Sequence, residues 1–319
     1  MKHLTISNYG TSLGLESFRM VVRSAEGKKH FPLNRLCTVS VAKRGVSISS
    51  DLIEAFSHRG IKLFFLDFRG VAHSALLGEA QHGTVAVRHA QMVFSQSEEN
   101  LVLAKEFVIA KLKNQRAVLN HFNKYHQHTA LVEASVTLKQ CAVQAKTATD
   151  RAQLMGFEGG GASAYFSALR EAKLFSSSFE RREGRGSQEI NNGLMNLGYA
   201  ILSSYILNAI VNAGLEPYCG VLHTERPGKM ALVLDVMEEY RPWVVDRCVI
   251  KMRQGIEGKA VITSDIKKQF IQSIHDTCAK RYPLKKKKVK LEHIMQRQIY
   301  RLAGHFYGQK TYRPYLFKW

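Results

Sequence analysis

LCTVSVAKRGVSISSDLIEAFSHRGIKLFFLD, residues 36–67, decides the first part of the fold. Leu36 to Ala42 and Lys62 to Asp67 are short runs of β-branched, aliphatic and aromatic residues, the composition that fits a half-buried strand. Between them Ser49 or Ser50 can cap a helix through Ser57, which ends near Gly60. Upstream, Ser17 to Ser24 (SFRMVVRS) predicts another strand, followed by a turn at Ala25-Glu26-Gly27-Lys28. Downstream, Phe68-Arg69-Gly70 predicts a turn into a strand over Gly70 to Ser74. Residues 1–80 therefore predict a β-rich N-terminal domain with one internal helix, whose role is to support the molecule and supply an interface.

From Glu98 the hydrophobic period changes to that of helices. Leu101, Leu103, Ala104, Phe107, Val108, Ala110, Leu112, Val118 and Leu119 are spaced as one helix face over Glu98 to His126, and a second helix is expected from about Thr129 to Met155. The expected fold class is α+β: a small β-rich domain over 1–80, a linker over 81–97, and a larger all-α catalytic domain over 98–319. Leu154 to Leu169 (LMGFEGGGASAYFSAL) sets three glycines directly after Glu158, which permit close approach of a backbone or ligand. The stretch lacks the GKS/T ending of a phosphate-binding loop and the strand that a dinucleotide fingerprint requires. An arginine-rich loop, Phe179 to Ser187 (FERREGRGS), leads into an apolar helix over Glu189 to Ala213, along which Asn192, Asn196, Tyr199 and Ser203 form a polar row. Two more helices are expected, over Ser264 to Arg281 and Val289 to Gly308.

With 319 residues and 45% hydrophobic content the chain can bury a substantial core. Its five cysteines include no CxxC pair, which argues against a zinc ribbon or a disulfide scaffold and fits a reducing cytoplasm. The N-terminus MKHLTISNYG has no apolar leader, and no uninterrupted apolar run is long enough to span a bilayer. Net charge is +20, and 19 Lys or Arg against 5 Asp or Glu from Arg241 onward place +14 of it in the last quarter. Such a field seeks a polyanion, and nucleic acid suits it because neutralised phosphates release counterions. A membrane suits it less, since no clean lipid-facing stripe accompanies the charge. Lys285, Lys286, Lys287 and Lys288, with the aromatics of the tail interleaved among its cations, are candidates for phosphate contact, as are Arg181, Arg182 and Arg185.

Against this basic background HTERPGKMALVLDVMEEYRP, His223 to Pro242, concentrates acids beside a histidine. On a helix Asp235, Glu238 and Glu239 fall within an arc of roughly 100°, opposite Leu232, Val233, Val236, Met237 and Tyr240. Either the acids are solvated or paired with lysines on an amphipathic helix, or they hold a divalent metal. Glu158, His223, Asp235 and Glu238 together suit magnesium or manganese, because hard cations take oxygen ligands and a histidine tilts the set away from calcium. Phosphoryl transfer on a polyanion needs such an ion.

Glu158 with GGGASAYF, NNGLMNLGYA at Asn191 to Ala200, His223, and LVLDVMEEYRP at Leu232 to Pro242 resemble, in this order, the signature of the CRISPR-associated integrase, the first-numbered Cas protein and catalytic subunit of spacer acquisition. FPLNRLCTVSVAKRGVSISSDLIEAFSHRGIKLFFLDFRG resembles the family's sheet domain with its internal helix, so the likeness covers nearly the whole chain. It implies Glu158, His223 and Glu238 as catalytic metal ligands for Mg2+ or Mn2+, with Asp235 at a neighbouring acidic position. The implied reaction is transesterification, in which the 3′-hydroxyl of a short double-stranded DNA fragment, the prespacer, attacks a phosphodiester at the boundary of a repeat in the CRISPR array. The implied assembly is a homodimer, two of which are bridged by a smaller dimeric Cas partner. One departure is local: GRGSQEIN lacks the prolines and the aspartate usual before the long helix and carries Glu189.

Other readings stay open at this stage. The same site with water as nucleophile would make a structure-selective endonuclease, and without chemistry the chain would be a nucleic-acid-binding scaffold. Tyr165, served by arginines and His223, is a candidate covalent nucleophile of the tyrosine-recombinase kind, although that chemistry leaves the acids unexplained.

Overall fold

A computed structural model of the chain describes residues 2–67, 72–76, 84–184 and 186–318. Two four-stranded sheets make the N-terminal lobe. One runs β1-β5-β7-β8, where β1 is Lys2–Ile6, β5 is Leu36–Val41, β7 is Lys62–Leu66 and β8 is Ala72–Leu76. The other runs β4-β3-β2-β6, where β2 is Ser12–Glu16, β3 is Arg19–Ser24, β4 is Gly27–Pro32 and β6 is Ser47–Ile48. β1, β5 and β7 are parallel, and β8 closes the edge antiparallel to β7. Helix α1, Ser50–His58, lies on the crossover between β5 and β7, as residues 36–67 predict. Strands β1, β2, β4 and β6 are additions to that expectation. β4 reads poorly because it is a charged, exposed strand at the sheet edge, which is how edge strands avoid pairing with other chains.

Strand β7 is the wall between the lobes. Leu63 packs into the small core with Leu13, Met20, Leu52 and Phe56, while Phe64 and Leu66 point the other way into the helical core. The two-residue period of a strand thus serves both cores with one segment. The lobes are also tied by polar contacts: the Lys62 ammonium donates to Asn208 Oδ1 at 3.0 Å and to Asn212.

The C-terminal lobe is mostly helical. Its helices are α2 Thr84–Ser95, α3 Glu99–His126, α4 Thr129–Thr147, α5 Arg151–Glu171, α6 Ile190–Asn212, α7 Ala231–Met237, α8 Arg247–Ile256, α9 Ser264–Ala279 and α10 Leu291–Phe306. Three features depart from expectation. Residues 84–95 of the supposed linker form α2, whose Gln91 amide donates to the carbonyls of Glu216 and Cys219. Gln96 and Ser97 turn from α2 into α3, and linker residues 81–83 lie outside the described part of the chain. One hairpin, β9 Arg281–Leu284 with β10 Lys287–Lys290, interrupts the expected all-α lobe.

The third departure concerns the glycines. A single helix through Met155 is not found; the chain breaks after α4, and Asp150 caps α5 by accepting the Gln153 N–H at 2.8 Å. Glu158 and its three glycines sit inside α5. Each interior glycine costs about 1 kcal/mol in helix propensity, so α5 is held by packing. Gly161 shows how: a Cβ there would come within 2.2 Å of Leu112 Cδ2 on α3, so its absence sets the close approach of α5 to α3. Helix α6 is long and apolar enough to cross a membrane, but 78% of its apolar window is buried among the other helices.

Candidate active site

The acidic stretch does not form one solvated stripe. Helix α7 ends at Met237, and the chain continues through a turn into a π-helical segment, Pro242–Asp246. Asp235, Glu238 and Glu239 are all buried, and each faces a different structure. Asp235 turns to the loop before α7, where its Oδ2 accepts the N–H groups of Val221 and Leu222 at 2.6 and 3.0 Å. Its Oδ1 accepts the N–H of His223 at 2.9 Å and the ring Nδ1 at 2.6 Å. A carboxylate can only accept, so Nδ1 carries the proton and, in the neutral ring, Nε2 keeps its lone pair. Gly220 makes this wrap feasible: a Cβ there would meet Ala231 Cβ at 2.5 Å, the His223 carbonyl at 3.0 Å and Asp235 Oδ2 at 3.1 Å.

Glu238 faces α3 and α5. Its Oε2 lies 2.7 Å from the ammonium of Lys111, which also binds Glu158, and its Oε1 lies 3.2 Å from Arg241 Nη1. Burial opposes ionisation, but Arg241, Lys111 and His223 together hold the Glu238 carboxyl well below the usual carboxylate range. Glu158 and Glu238 are therefore joined through one cation, and His223 adds its field at Glu238. Glu239 is not an ordinary surface charge. It accepts from the Tyr312 hydroxyl and the Tyr315 N–H, and burial pushes its carboxyl up to about 7. Asn114, one turn beyond Lys111 on α3, completes the fastening of the C-terminal tail by donating to the Glu239 and Tyr315 carbonyls and accepting the Phe317 N–H.

A cleft of about 580 Å³ opens beside His223, lined by Arg182, Arg226, Lys229, Arg241 and Tyr199 among others. The polar row on α6 orients this basic wall: Asn192 and Asn196 each accept one nitrogen of the Arg182 guanidinium at 2.8 Å. The guanidinium groups of Arg182 and Arg241 lie 5.4 and 4.9 Å from the Tyr199 ring, whose hydroxyl donates to Asp246 at 2.6 Å. Burial raises the Asp246 carboxyl to about 6. Glu189 takes over the missing aspartate's place as a cap, accepting the N–H groups of Asn191 and Asn192 at 2.9 and 2.8 Å.

Of the other predicted site residues, Arg181 projects into solvent and Arg185 lies outside the described residues. Lys285 to Lys288 are exposed on the ordered β9–β10 hairpin, with Lys285 in the left-handed region at φ 54°, and are not among the residues lining the His223 cleft. Tyr165 is fully buried, which removes it as a nucleophile for a phosphodiester. Lys111, Arg226, Lys229 and Arg241 were not singled out from the sequence. Lys111 did leave a signal, because it stands seven residues from Ala104 and four from Phe107 on the buried face of α3.

The donor chemistry fits a hard divalent cation: one carboxylate from α5 and one from the turn after α7 converge on an ammonium, and an imidazole has Nδ1 held by a carboxylate. Among the described residues no three His, Cys, Asp or Glu stand close enough to form a finished metal sphere, and Lys111 occupies the position between the two glutamates.

The fold defines a class first. A casposase bound to integration product shares it with a TM-score of 0.84 at 19% identity, over 98% of this chain and 93% of that one. A Cas6-RT-Cas1–Cas2 complex shares it with a TM-score of 0.79 at 19% identity, over 98% of this chain and 36% of that one. Sequence then specifies the family: the CRISPR associated protein Cas1 model matches residues 4–273. The CRISPR-associated endonuclease Cas1 1 of Francisella tularensis subsp. novicida (strain U112) is 57% identical over 319 residues, the whole of both chains. The chain belongs to the Cas1 family.

Proposed function

We propose that the protein is the integrase of CRISPR spacer acquisition, joining the 3′-hydroxyl ends of short DNA fragments to the CRISPR repeat. The observation that carries this is the convergence of Glu158 and Glu238 on one buried cation, beside a cleft that holds His223 and four arginine or lysine side chains. Glu158, Glu238 and His223 Nε2 would hold Mg2+ or Mn2+, with Asp235 holding the imidazole by Nδ1 rather than entering the sphere. When bound, the ion supplies charge neutralisation at the scissile phosphate and alignment of the attacking and leaving oxygens. Arg182 is locked by two asparagines and Arg241 by Glu238, so both can face phosphate oxygens without first being ordered. No covalent protein intermediate is needed, in keeping with the burial of Tyr165.

Double-stranded DNA is the proposed substrate, as prespacer and as CRISPR array, with the exposed lysines of the β9–β10 hairpin and the arginine loop as further phosphate contacts. The proposed assembly is a homodimer, two of which are bridged by a smaller dimeric Cas partner; the Cas6-RT-Cas1–Cas2 complex of the same fold supports the choice of a second Cas protein as partner. The test mixes labelled short duplex with free 3′ ends, a supercoiled plasmid bearing a repeat, divalent metal and the partner. Joining that needs metal and is lost in Glu158→Ala, His223→Ala and Glu238→Ala is the expected result. Joining unaffected by all three substitutions would overturn the proposal and leave a scaffold. The endonuclease name of the Francisella relative favours a second reading, in which water replaces the DNA hydroxyl; cleavage without any joined product would select it.

A further inference from the structure

The ammonium of Lys111 stands where a cation shared by Glu158 and Glu238 has to stand. It contacts Oε1 of Glu158 and Oε2 of Glu238, whereas Arg241 takes the other oxygen of Glu238. The lysine and glutamate side chains are only 12%, 14% and 3% exposed, so little water screens their charges. Two carboxylates against Lys111 and Arg241 give a cluster of zero net charge. A divalent ion entering that cluster brings a surplus of two positive charges, and on the two oxygens that face Lys111 it would sit within a few ångströms of the ammonium. Repulsion at that range in a buried site is worth far more than in water. Arg241 can remain, because its partner oxygen faces away from the shared position. Lys111 cannot remain, and its four-carbon stem gives it the freedom to leave.

We propose that Lys111 is an exchangeable counter-cation: its ammonium holds Glu158 and Glu238 together in the metal-free protein and vacates their shared position when a divalent ion binds. The inference rests on the metal-site reading above. It makes metal entry an exchange of one cation for another, lowers the apparent affinity for the ion, and keeps the two buried carboxylates from repelling one another before the ion arrives.

The test compares wild type with Lys111→Met, which keeps the stem and removes the charge, and with Lys111→Arg, which keeps the charge. Mn2+ binding to each full-length protein is measured by calorimetry and by the electron paramagnetic resonance signal of free Mn2+, and thermal unfolding is followed in chelator and in Mn2+. Lys111→Met is expected to bind Mn2+ roughly tenfold more tightly than wild type, given the repulsion removed. Its unfolding temperature in chelator is expected to fall, with a larger rise on adding Mn2+ than wild type shows. Lys111→Arg is expected to bind no more tightly than wild type. Binding by Lys111→Met that is no tighter than wild type, while wild-type binding disappears in Glu158→Gln and Glu238→Gln, overturns the exchange and leaves the metal site standing. Binding in neither protein that depends on Glu158 or Glu238 overturns both. A measurement on wild type alone covers the case in which Lys111→Met does not fold. Labelling of Lys111 by an amine-reactive reagent, read by mass spectrometry, is expected to rise several-fold on going from chelator to Mn2+; unchanged labelling overturns the exchange.

Discussion

Replacing Gly220 with alanine adds one methyl group at the point where the chain wraps round Asp235. The new Cβ would lie 2.5 Å from Ala231 Cβ, 3.0 Å from the His223 carbonyl and 3.1 Å from Asp235 Oδ2. The first neighbour is a fully buried helix residue and the second is backbone, so neither can swing aside as a long side chain would. Relief to ordinary contact needs a shift of about 1 Å of the 220–223 loop away from α7, and overpacking of this kind costs roughly 1–3 kcal/mol. The same shift stretches the three N–H donors and the imidazole that now converge on Asp235 at 2.6 to 3.0 Å. Losing one hydrogen bond to a charged acceptor costs about 1.5–3 kcal/mol, so Gly220→Ala is expected to destabilise the protein by roughly 3–6 kcal/mol in all. Urea unfolding, followed by tryptophan fluorescence, measures it as a lower midpoint. Strand joining in Mn2+ is expected to fall more than stability alone explains, because His223 moves with the loop. A variant within about 0.5 kcal/mol of wild type and fully active would refute the claim that the missing Cβ holds His223 on Asp235.

Three further outcomes follow from the same geometry. Gly160 lies exposed in the interior of α5 with nothing within 4 Å of its absent Cβ, so Gly160→Ala is expected to raise stability by about 0.5–1 kcal/mol; an unchanged urea midpoint would count against a continuous helix there. Glu239 titrates at about 7 in the folded chain against 4.5 for the ordinary group. The folded state thus binds the extra proton between those values, and the stability this contributes is full below pH 4.5 and lost as pH rises to 7. At about 1.4 kcal/mol per pH unit the loss is about 3 kcal/mol, and Glu239→Gln is expected to remove that part of the slope between pH 4.5 and 7; an identical slope in the variant would show that Glu239 titrates normally. Arg182→Ala is expected to weaken binding of short duplexes of any sequence to a similar degree and to reduce the slope of log affinity against log salt by about 1; an unaltered slope in a fluorescence anisotropy titration would take Arg182 off the phosphate path.

Much of the fold can be read from residues close together in the chain. The strands at Leu36 and Lys62, the helix between them, and helices α3, α6, α9 and α10 follow from period and caps, which act over a few residues. Glu158, His223, Asp235 and Glu238 stand out because carboxylates and a histidine are conspicuous in so basic a chain. The places where local reading failed are those where distant packing overrides it. Four glycines argue against a helix over 156–161, yet the fit of Gly161 against Leu112 brings α5 so close to α3 that the helix forms there. Residues 84–95 look like polar linker, yet Gln91 ties them to carbonyls 125 and 128 residues away.

Composition, period and family signature are properties of the chain alone, and they carry the two-lobed plan, the basic charge and the kinds of donor expected at the candidate site. Tertiary structure decided what each acid does. Asp235, Glu238 and Glu239 share one short segment, but the helix ends between the first and the second, and their partners come from the 221–223 loop, from Lys111 and Arg241, and from the C-terminal tail. An ion pair such as Lys111 with Glu158 joins residues 47 apart, and Asn114 reaches Phe317 across 203. No short-range pattern encodes such meetings. They arise because a buried charge must find a partner wherever the packed helices bring one within reach.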